Sequence, residues 1–505
     1  MDSQQVAYKT QAEALGALPG ANLALISVPG QYAAQEARWA LEHNLHVLIF
    51  SDNVPLADER ALKELAQRQG LLVMGAECGA AIVNGTVLAF GNAVRRGPVG
   101  IVAGSGTGLM QVSVLVDNEG LGVSQAIGTG GRDLLDDIGG LTMLQGIDLL
   151  EADEETLVIV LVAKAPAPQT MQRVIKRIRQ CHKPVVVNFL GGQPRYITKN
   201  KMYRGQPETF AQAGAIPTTT LEEAACWAVD LARGQPLRRV GFSLPDDEIA
   251  ALLARETARR ASPQKYLRGL FCGGHFAKEA LLLVQEAVGE VYSNLGGKAL
   301  PLPDPRLSVR HSIVDMGAEE FTLGRPHPMI IPRPIRQRLL QEGRDPEVAV
   351  LLLDVVLGYG AHRDPASILA PAIAQAREQA AAEGRYLAVV ASVCGTEQDI
   401  QNARVQEQKL REVGVIVLPS NAQAARLAAM LVQEEGRRAG AAPAVPPYGR
   451  SGAAPDSSSS RNASPATPAL LHTTLRVLNV GIRIFYEALQ QQSVTAVHVD
   501  WEVPA

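Results

Sequence analysis

Residues 99–132 read VGIVAGSGTGLMQVSVLVDNEGLGVSQAIGTGGR, and the fold is read outward from them. An apolar run, 99–103, meets the small-residue turn Gly104-Ser105-Gly106-Thr107-Gly108, after which a helical pattern begins. The pattern repeats: 123–127 runs into Gly128-Thr129-Gly130-Gly131, and a second helix is expected to open at Asp133. Short apolar runs that end in glycine and feed a helix describe parallel strands joined by crossover helices. Such turns also present backbone N–H groups at a helix N-terminus, where an anion can be held. Ser105, Gly106, Thr107, Gly108, Gly130 and Gly131 are therefore candidate phosphate-binding residues, set against the plainer reading of glycines needed only for tight turns. Arg132 is a candidate catalytic residue, because a guanidinium neutralises a phosphoryl or carboxylate group bidentately. Asp133 reads more simply as a helix N-cap.

The same logic extends in both directions. Upstream, strand-like runs 23–28, 46–50 and 71–74 alternate with helical patterns 33–42 and 56–68, a βαβαβ series that starts without the glycine-rich first turn of a complete dinucleotide fold. Downstream, 156–163 and 184–190 complete a second block, and 234–264 reads as an Arg-rich helical connector. A third block follows. Its run 267–271 meets Cys272-Gly273-Gly274, 348–356 meets Leu357-Gly358-Tyr359-Gly360, 386–393 meets Cys394-Gly395-Thr396, and 415–418 closes it. Gly273, Gly274, Gly395 and Thr396 join the phosphate-binding candidates. In Gly324-Arg325-Pro326-His327-Pro328, two prolines fix the backbone around Arg325 and His327, which makes both candidate catalytic residues. The plainer alternative is a loop held by Arg325 to a carboxylate. Cys78 reads as a small buried residue, and His275 and His362 as surface or capping groups without metal-ligand spacing.

Composition narrows the function. A net charge of −3 and 4% aromatic residues argue against a nucleic-acid surface, which needs basic patches and stacking rings. The five cysteines form no CxxC pair, which fits a reducing compartment, and no zinc or other metal site is expected. The opening MDSQQVAYKT lacks a signal-peptide pattern, and no apolar run approaches the ~18 residues of a membrane span, so a cytoplasmic protein with no membrane partner is expected. Residues 436–468 are rich in Ala, Pro and Ser and read as a flexible linker. The domains expected are thus 1–96, 97–233, the connector 234–264, 265–435, the linker 436–468 and a tail module 469–505.

Taken together, FSDNV (50–54), FGNAVRRG (90–97), SGTG (105–108), IGTGGRDL (127–134), GLFCGG (269–274), GRPHPMI (324–330), DPEVAVLLLDVVLGYG (345–360) and CGTEQD (394–399) resemble the FdrA family. These are acyl-CoA-synthetase-like proteins related to succinyl-CoA synthetase, and the resemblance covers residues 21 to about 433. It implies an α/β fold of tandem parallel-sheet units: a partial Rossmann-like CoA-binding-type domain, then two flavodoxin-like domains of the succinyl-CoA-synthetase type, one like each subunit. The tail LRVLNVGIRIFYEALQQQSVTAVHVDWEVPA (475–505) resembles the opening of a companion subunit that accompanies this family in allantoin degradation.

The implied role is a subunit of an oligomeric oxamate carbamoyltransferase, working with companion subunits on a small-molecule phosphate or acyl phosphate. The expected site lies between the second and third blocks. Several residues depart from the pattern. The loop 191–215, where the related ligases carry a phosphohistidine, has no histidine, and His182 stands before the strand rather than after it. Gln111 replaces a glutamate; GAECGA (75–80), GGH (273–275) and HPMIIP (327–332) replace GPDCGT, GGT and HPMIDP. No cofactor is required by these residues; CoA is the one the resemblance implies, although the N-terminal glycine loop for it is missing. Two alternatives stay open: an acyl-CoA ligase completed by a nucleotide-binding partner, and a non-catalytic scaffold subunit.

Overall fold

Strand order places a strand from early in the chain, Leu23–Ile26, beside one from late in it, Arg476–Val480. The computed structural model describes residues 8–191, 209–433 and 469–503. The linker expected at 436–468 and most of the loop 191–215 lie outside the described residues. The chain divides into two compact units, Met1–Arg238 with Val445–Ala505, and Arg239–Ala444. The connector helix, Asp246–Ala258, belongs to the second.

The first unit contains two sheets. One has the order Thr495–Val499, Arg476–Val480, Leu23–Ile26, His46–Ile49, Val73–Met74, and every pairing is parallel. The segment that sequence sets apart as a tail thus supplies two of its five strands. Leu23 pairs with Val477 and Ile26 with Val480, so a βαβ unit from the far end of the chain stands where the series opening at residue 23 lacks its first strand. All of Leu23–Ile26 is buried, as the apolar sequence LALI requires of a central parallel strand. Phe485, on the helix Arg483–Gln491, packs against Phe50 and Phe90 with ring centroids 4.7 and 5.6 Å away.

The second sheet runs Ile216–Pro217, Val185–Leu190, Val158–Lys164, Arg96–Ala103, Val123–Gly128, Ala80–Val83, Thr86–Ala89. Its last two strands are an antiparallel hairpin turned by Asn84 and Gly85, both at positive φ. That hairpin was not anticipated, although Asn-Gly between apolar runs is a strong local signal for it. The helix expected to open at Asp133 instead begins at Leu141, because residues 131–138 turn tightly first. Asp133 does cap a helix, but at a distance: its carboxylate accepts from the N–H groups of Thr142 and Met143 at 3.1 and 2.9 Å.

The second unit is one all-parallel sheet, ordered Leu300–Pro301, Tyr292–Ser293, Ser312–Asp315, Tyr266–Phe271, Val348–Val356, Ala388–Cys394, Ile416–Leu418. The nine residues of VAVLLLDVV are all buried, as expected of a strand covered by helices on both faces. Among the described residues no helix is long and apolar enough to cross a membrane.

Candidate functional site

In the first unit, three loops at carboxyl ends of strands converge through glycines. A Cβ on Gly130 would stand 1.8 Å from the Ala76 carbonyl oxygen, one on Gly128 2.3 Å from that of Ala80, and one on Gly106 3.3 Å from Gly79. Turns 75–80, 104–108 and 128–131 therefore pack backbone against backbone, which side chains would prevent. Gly130 also has φ +83°, a left-handed conformation costly for other residues.

The helix Gly106–Asn118 starts at this junction. Ser105 is its N-cap, with Oγ accepting from the Gly108 N–H at 3.2 Å. The N–H groups of Gly106 and Thr107 have no backbone acceptor among the described residues. Gln111 lies one turn on from Thr107, on the same face of the helix. Its side chain is 2% exposed, and its Nε2 has no hydrogen-bond partner among the described residues. An unsatisfied buried amide costs about 1–3 kcal/mol, so its retention calls for a partner.

Charges behind the junction form a chain. Lys63, buried, pairs with Glu59 at 2.9 Å and Asp133 at 2.7 Å and donates to the Thr129 carbonyl at 3.1 Å. Arg132 pairs with Glu59 at 2.9 Å and Glu77 at 3.2 Å. The guanidinium is thus held between two carboxylates rather than left open to an incoming anion. Glu77 carries one oxygen 3.4 Å from where a Gly131 Cβ would stand, which puts this carboxylate at the glycine junction. Burial pushes its pKa up, partly opposed by Arg132. Burial pushes the Cys78 thiol up to about 12, so it is no thiolate nucleophile.

The second unit treats the same pattern differently. At Cys272-Gly273-Gly274, the N–H groups of Cys272 and Gly273 both donate to the buried carboxylate of Asp354 at 2.8 Å. A Cβ on Gly274 would stand 2.7 Å from Asp315 Oδ2. At Gly395-Thr396, the Thr396 N–H donates to Asp399 at 2.8 Å, and a Gly395 Cβ would strike Leu357 at 2.5 Å. The Gly358 N–H donates to Gln401 Oε1 at 3.0 Å. Of the donors that sequence assigns to a phosphate, those of Gly273 and Thr396 are here taken by the unit's own side chains. Burial raises the Asp354 pKa to about 6, against the pull of the two N–H groups.

Arg325 is exposed, while His327 Nδ1 accepts from the Met329 N–H at 3.2 Å and its ring lies against Gly317. Desolvation lowers the His327 pKa to about 4, leaving the ring neutral. His275, read from sequence as a surface or capping group, is not at the surface: it is 3% exposed, turned inward by its helix Gly274–Val288. His362 does act locally, accepting from the Asp364 N–H at 3.0 Å beside the helix Pro365–Ala382.

Structure thus brings together Ser105, Gly106, Thr107, Gly108, Gly130, Gly131 and Arg132. Gly273, Gly274, Arg325, His327, Gly395 and Thr396 belong to the other unit. Sequence reasoning missed Glu77, Glu59 and Lys63 at the first junction and Asp354 and Asp399 in the second unit. Asp354 had a signal, being the lone charge in a nine-residue apolar strand; Glu59 and Lys63 had only their i, i+4 spacing.

The implied CoA would set its phosphates at the switch point of the first sheet, between strands Leu23–Ile26 and Arg476–Val480, where such folds hold phosphates. The turn there is Gly481-Ile482. Ser27 Oγ accepts from the Ile482 N–H at 2.8 Å, and a Gly481 Cβ would lie 2.8 Å from the Ser27 backbone. The turn is filled by Ser27, and these residues do not fit a phosphate cradle for CoA.

Among known proteins, residues 270–431 match the CoA-ligase family. The chain is 45% identical over 429 residues to the uncharacterized protein YahF of Escherichia coli (strain K12), covering 84% of this chain and 80% of that protein. It is 28% identical over 190 residues to subunit alpha 1 of an ADP-forming succinate–CoA ligase of Archaeoglobus fulgidus, covering 37% of this chain and 63% of that subunit. Among solved structures, it aligns with the apo form of the dinucleotide-forming acetyl-coenzyme A synthetase 1 of Ca. Korarchaeum cryptofilum. That alignment has 15% identity and a TM-score of 0.32, over 81% of this chain and 82% of that one.

Proposed function

This chain belongs to the acyl-CoA-synthetase-like family of YahF, and on that premise we propose that its first unit binds a phosphate-bearing acyl donor at the turn 104–108. The observation that carries the reading is the buried, unpartnered Gln111 amide. It lies on the helix face shared with Thr107, beside two N–H groups that have no backbone acceptor among the described residues. An anion at this helix N-terminus would satisfy all three donors and gain from the helix dipole.

The finer reading is an FdrA-type carbamoyltransferase subunit working with companion subunits. A phosphate oxygen attacks the ureido carbonyl of a carbamoylated oxamate. The C–N bond to oxamate breaks, the nitrogen takes a proton, and carbamoyl phosphate and oxamate leave. The attacking hydrogen phosphate dianion brings that proton, so charge balances without a covalent nucleophile. Glu77, with its raised pKa, is placed to relay it, and Arg132 positions Glu77. The turn N–H groups stabilise phosphate charge that grows in the transition state. No step is routed through CoA or a phosphohistidine.

The CoA-ligase match over 270–431 favours a second reading, an acyl-CoA ligase that needs a nucleotide-binding partner. One experiment separates the two. The protein with its companion subunits is given carbamoyl phosphate and oxamate, and separately ATP, CoA and succinate. Phosphate release in the first mixture alone is expected; ADP and an acyl-CoA in the second establish the ligase instead. A stable complex silent in both identifies a scaffold subunit.

A further inference from the structure

We propose that residues 469–503 are a docking module held by noncovalent contacts alone. The edge of strand Leu23–Ile26, with the Phe50–Phe90 cleft beside it, is then a protein-interaction surface for a βαβ module. The covalent link through 434–468 is dispensable to that interaction. The inference rests on the strand pairing and is independent of the reaction proposed above.

Four features of the contact support it. The strand Arg476–Val480 pairs in parallel along the full length of Leu23–Ile26, and Leu478, Val480 and Val499 join one buried cluster with Ala24, Ile26 and Val47. Without the module, a fully buried apolar strand would become an open sheet edge, which soluble proteins keep covered. Phe485, 1% exposed, plugs the cleft between Phe50 and Phe90. The Gln492 side-chain amide imitates a further strand by accepting from the Val87 N–H at 2.8 Å and donating to its carbonyl at 3.0 Å. At the far side Trp501 packs on Tyr32 and donates to Glu36 at 3.0 Å, and Lys9 bridges Asp500 and Glu502 at 2.9 and 2.7 Å.

These contacts combine apolar anchors, backbone pairing and matched charges, the anatomy of a protein–protein interface rather than of a loosely tethered end. Thirty-five residues, 434–468, join the module to the rest of the chain, a contour of roughly 120 Å. Composition there supplies no apolar run that would add to the docking. The partner that fits is a βαβ module with an apolar first strand, a glycine, an aromatic residue early in the helix, a glutamine just past its end, and an Asp-Trp pair after the second strand.

The test uses the full chain with a site-specific protease sequence placed within Ser457–Ser460, cut and run on gel filtration. The fragment from the cut site to Ala505, which carries 469–503, is expected to elute with the rest of the cut protein. In a Phe485→Ala chain cut the same way, retention weakens by at least about a hundredfold. The uncut Phe485→Ala chain keeps its elution volume, because the tether holds the module at high effective concentration. Release of the wild-type fragment on cleavage overturns the proposal, as does equal retention of wild-type and Phe485→Ala fragments.

Discussion

The strand-end turns of the two units share a sequence pattern and differ in what faces their N–H groups. At 104–108 in the first unit, Ser105 caps one donor, while two others find no backbone acceptor and the Gln111 amide no partner among the described residues. At 272–274 and 395–396 in the second unit, Asp354 accepts from the Cys272 and Gly273 N–H groups, before and at the helix N-cap, and Asp399 accepts from Thr396. A glycine-rich turn after a parallel strand therefore marks a place where an anion fits. It does not say whether the anion is a substrate or a carboxylate of the same chain. Only the residue that reaches back into the turn decides that.

The largest expected effect comes from filling a turn. Gly130→Ala pushes a methyl group against backbone, 1.8 Å from the Ala76 oxygen at φ +83°, and should destabilise the first unit by at least about 4 kcal/mol. Gly274→Ala meets only the carboxylate end of Asp315 and should cost about 1 kcal/mol. Urea denaturation measures both; equal costs would break the distinction between a turn packed on backbone and one packed on a side chain.

Acidification comes next. His311 and His327, in the second unit, have pKa values lowered to about 4 by burial, and each Nδ1 accepts a backbone N–H that protonation would evict. Their folded pKa lies below the unfolded value, so the stability they contribute is present above pH 6.5 and is lost as pH falls towards 4. Each loss amounts to at most about 3 kcal/mol before solvent screening. Asp354, raised to about 6, works the other way, gaining stability as pH falls from 6 to 4. A net fall is expected, and Asp354→Asn should steepen it by removing the offset. Urea midpoints at pH 7, 5.5 and 4 give the slopes, and an unchanged slope in the variant would remove Asp354 from the account.

The smallest effect is the sharpest probe of the first unit. Gln111→Leu replaces an unmet buried amide with an apolar side chain of similar size and should stabilise the protein by about 1 kcal/mol. Phosphate affinity, read by calorimetry, should fall about tenfold in the same variant. A loss of stability would mean that Gln111 is already satisfied.

Much of the fold was legible because parallel strands buried on both faces write themselves as apolar runs, and 348–356 coincides with the strand Val348–Val356. The hairpin at Asn84-Gly85 is legible too, because Asn-Gly stands between two apolar runs. The tail was not. Its strand pairs with Leu23–Ile26 across about 450 residues of chain, and local periodicity carries no record of such a partner.

By itself, the sequence determined the α/β class, the alternation of strand, glycine turn and helix, and the absence of a histidine from 191–215. These follow from local side-chain chemistry. Tertiary structure alone decided that the last segment completes the first sheet, that Arg132 is shared between Glu59 and Glu77, and that Asp354 fills the turn at Gly273. Each of these depends on which distant groups burial brings within hydrogen-bond reach, and neither spacing nor composition encodes that distance.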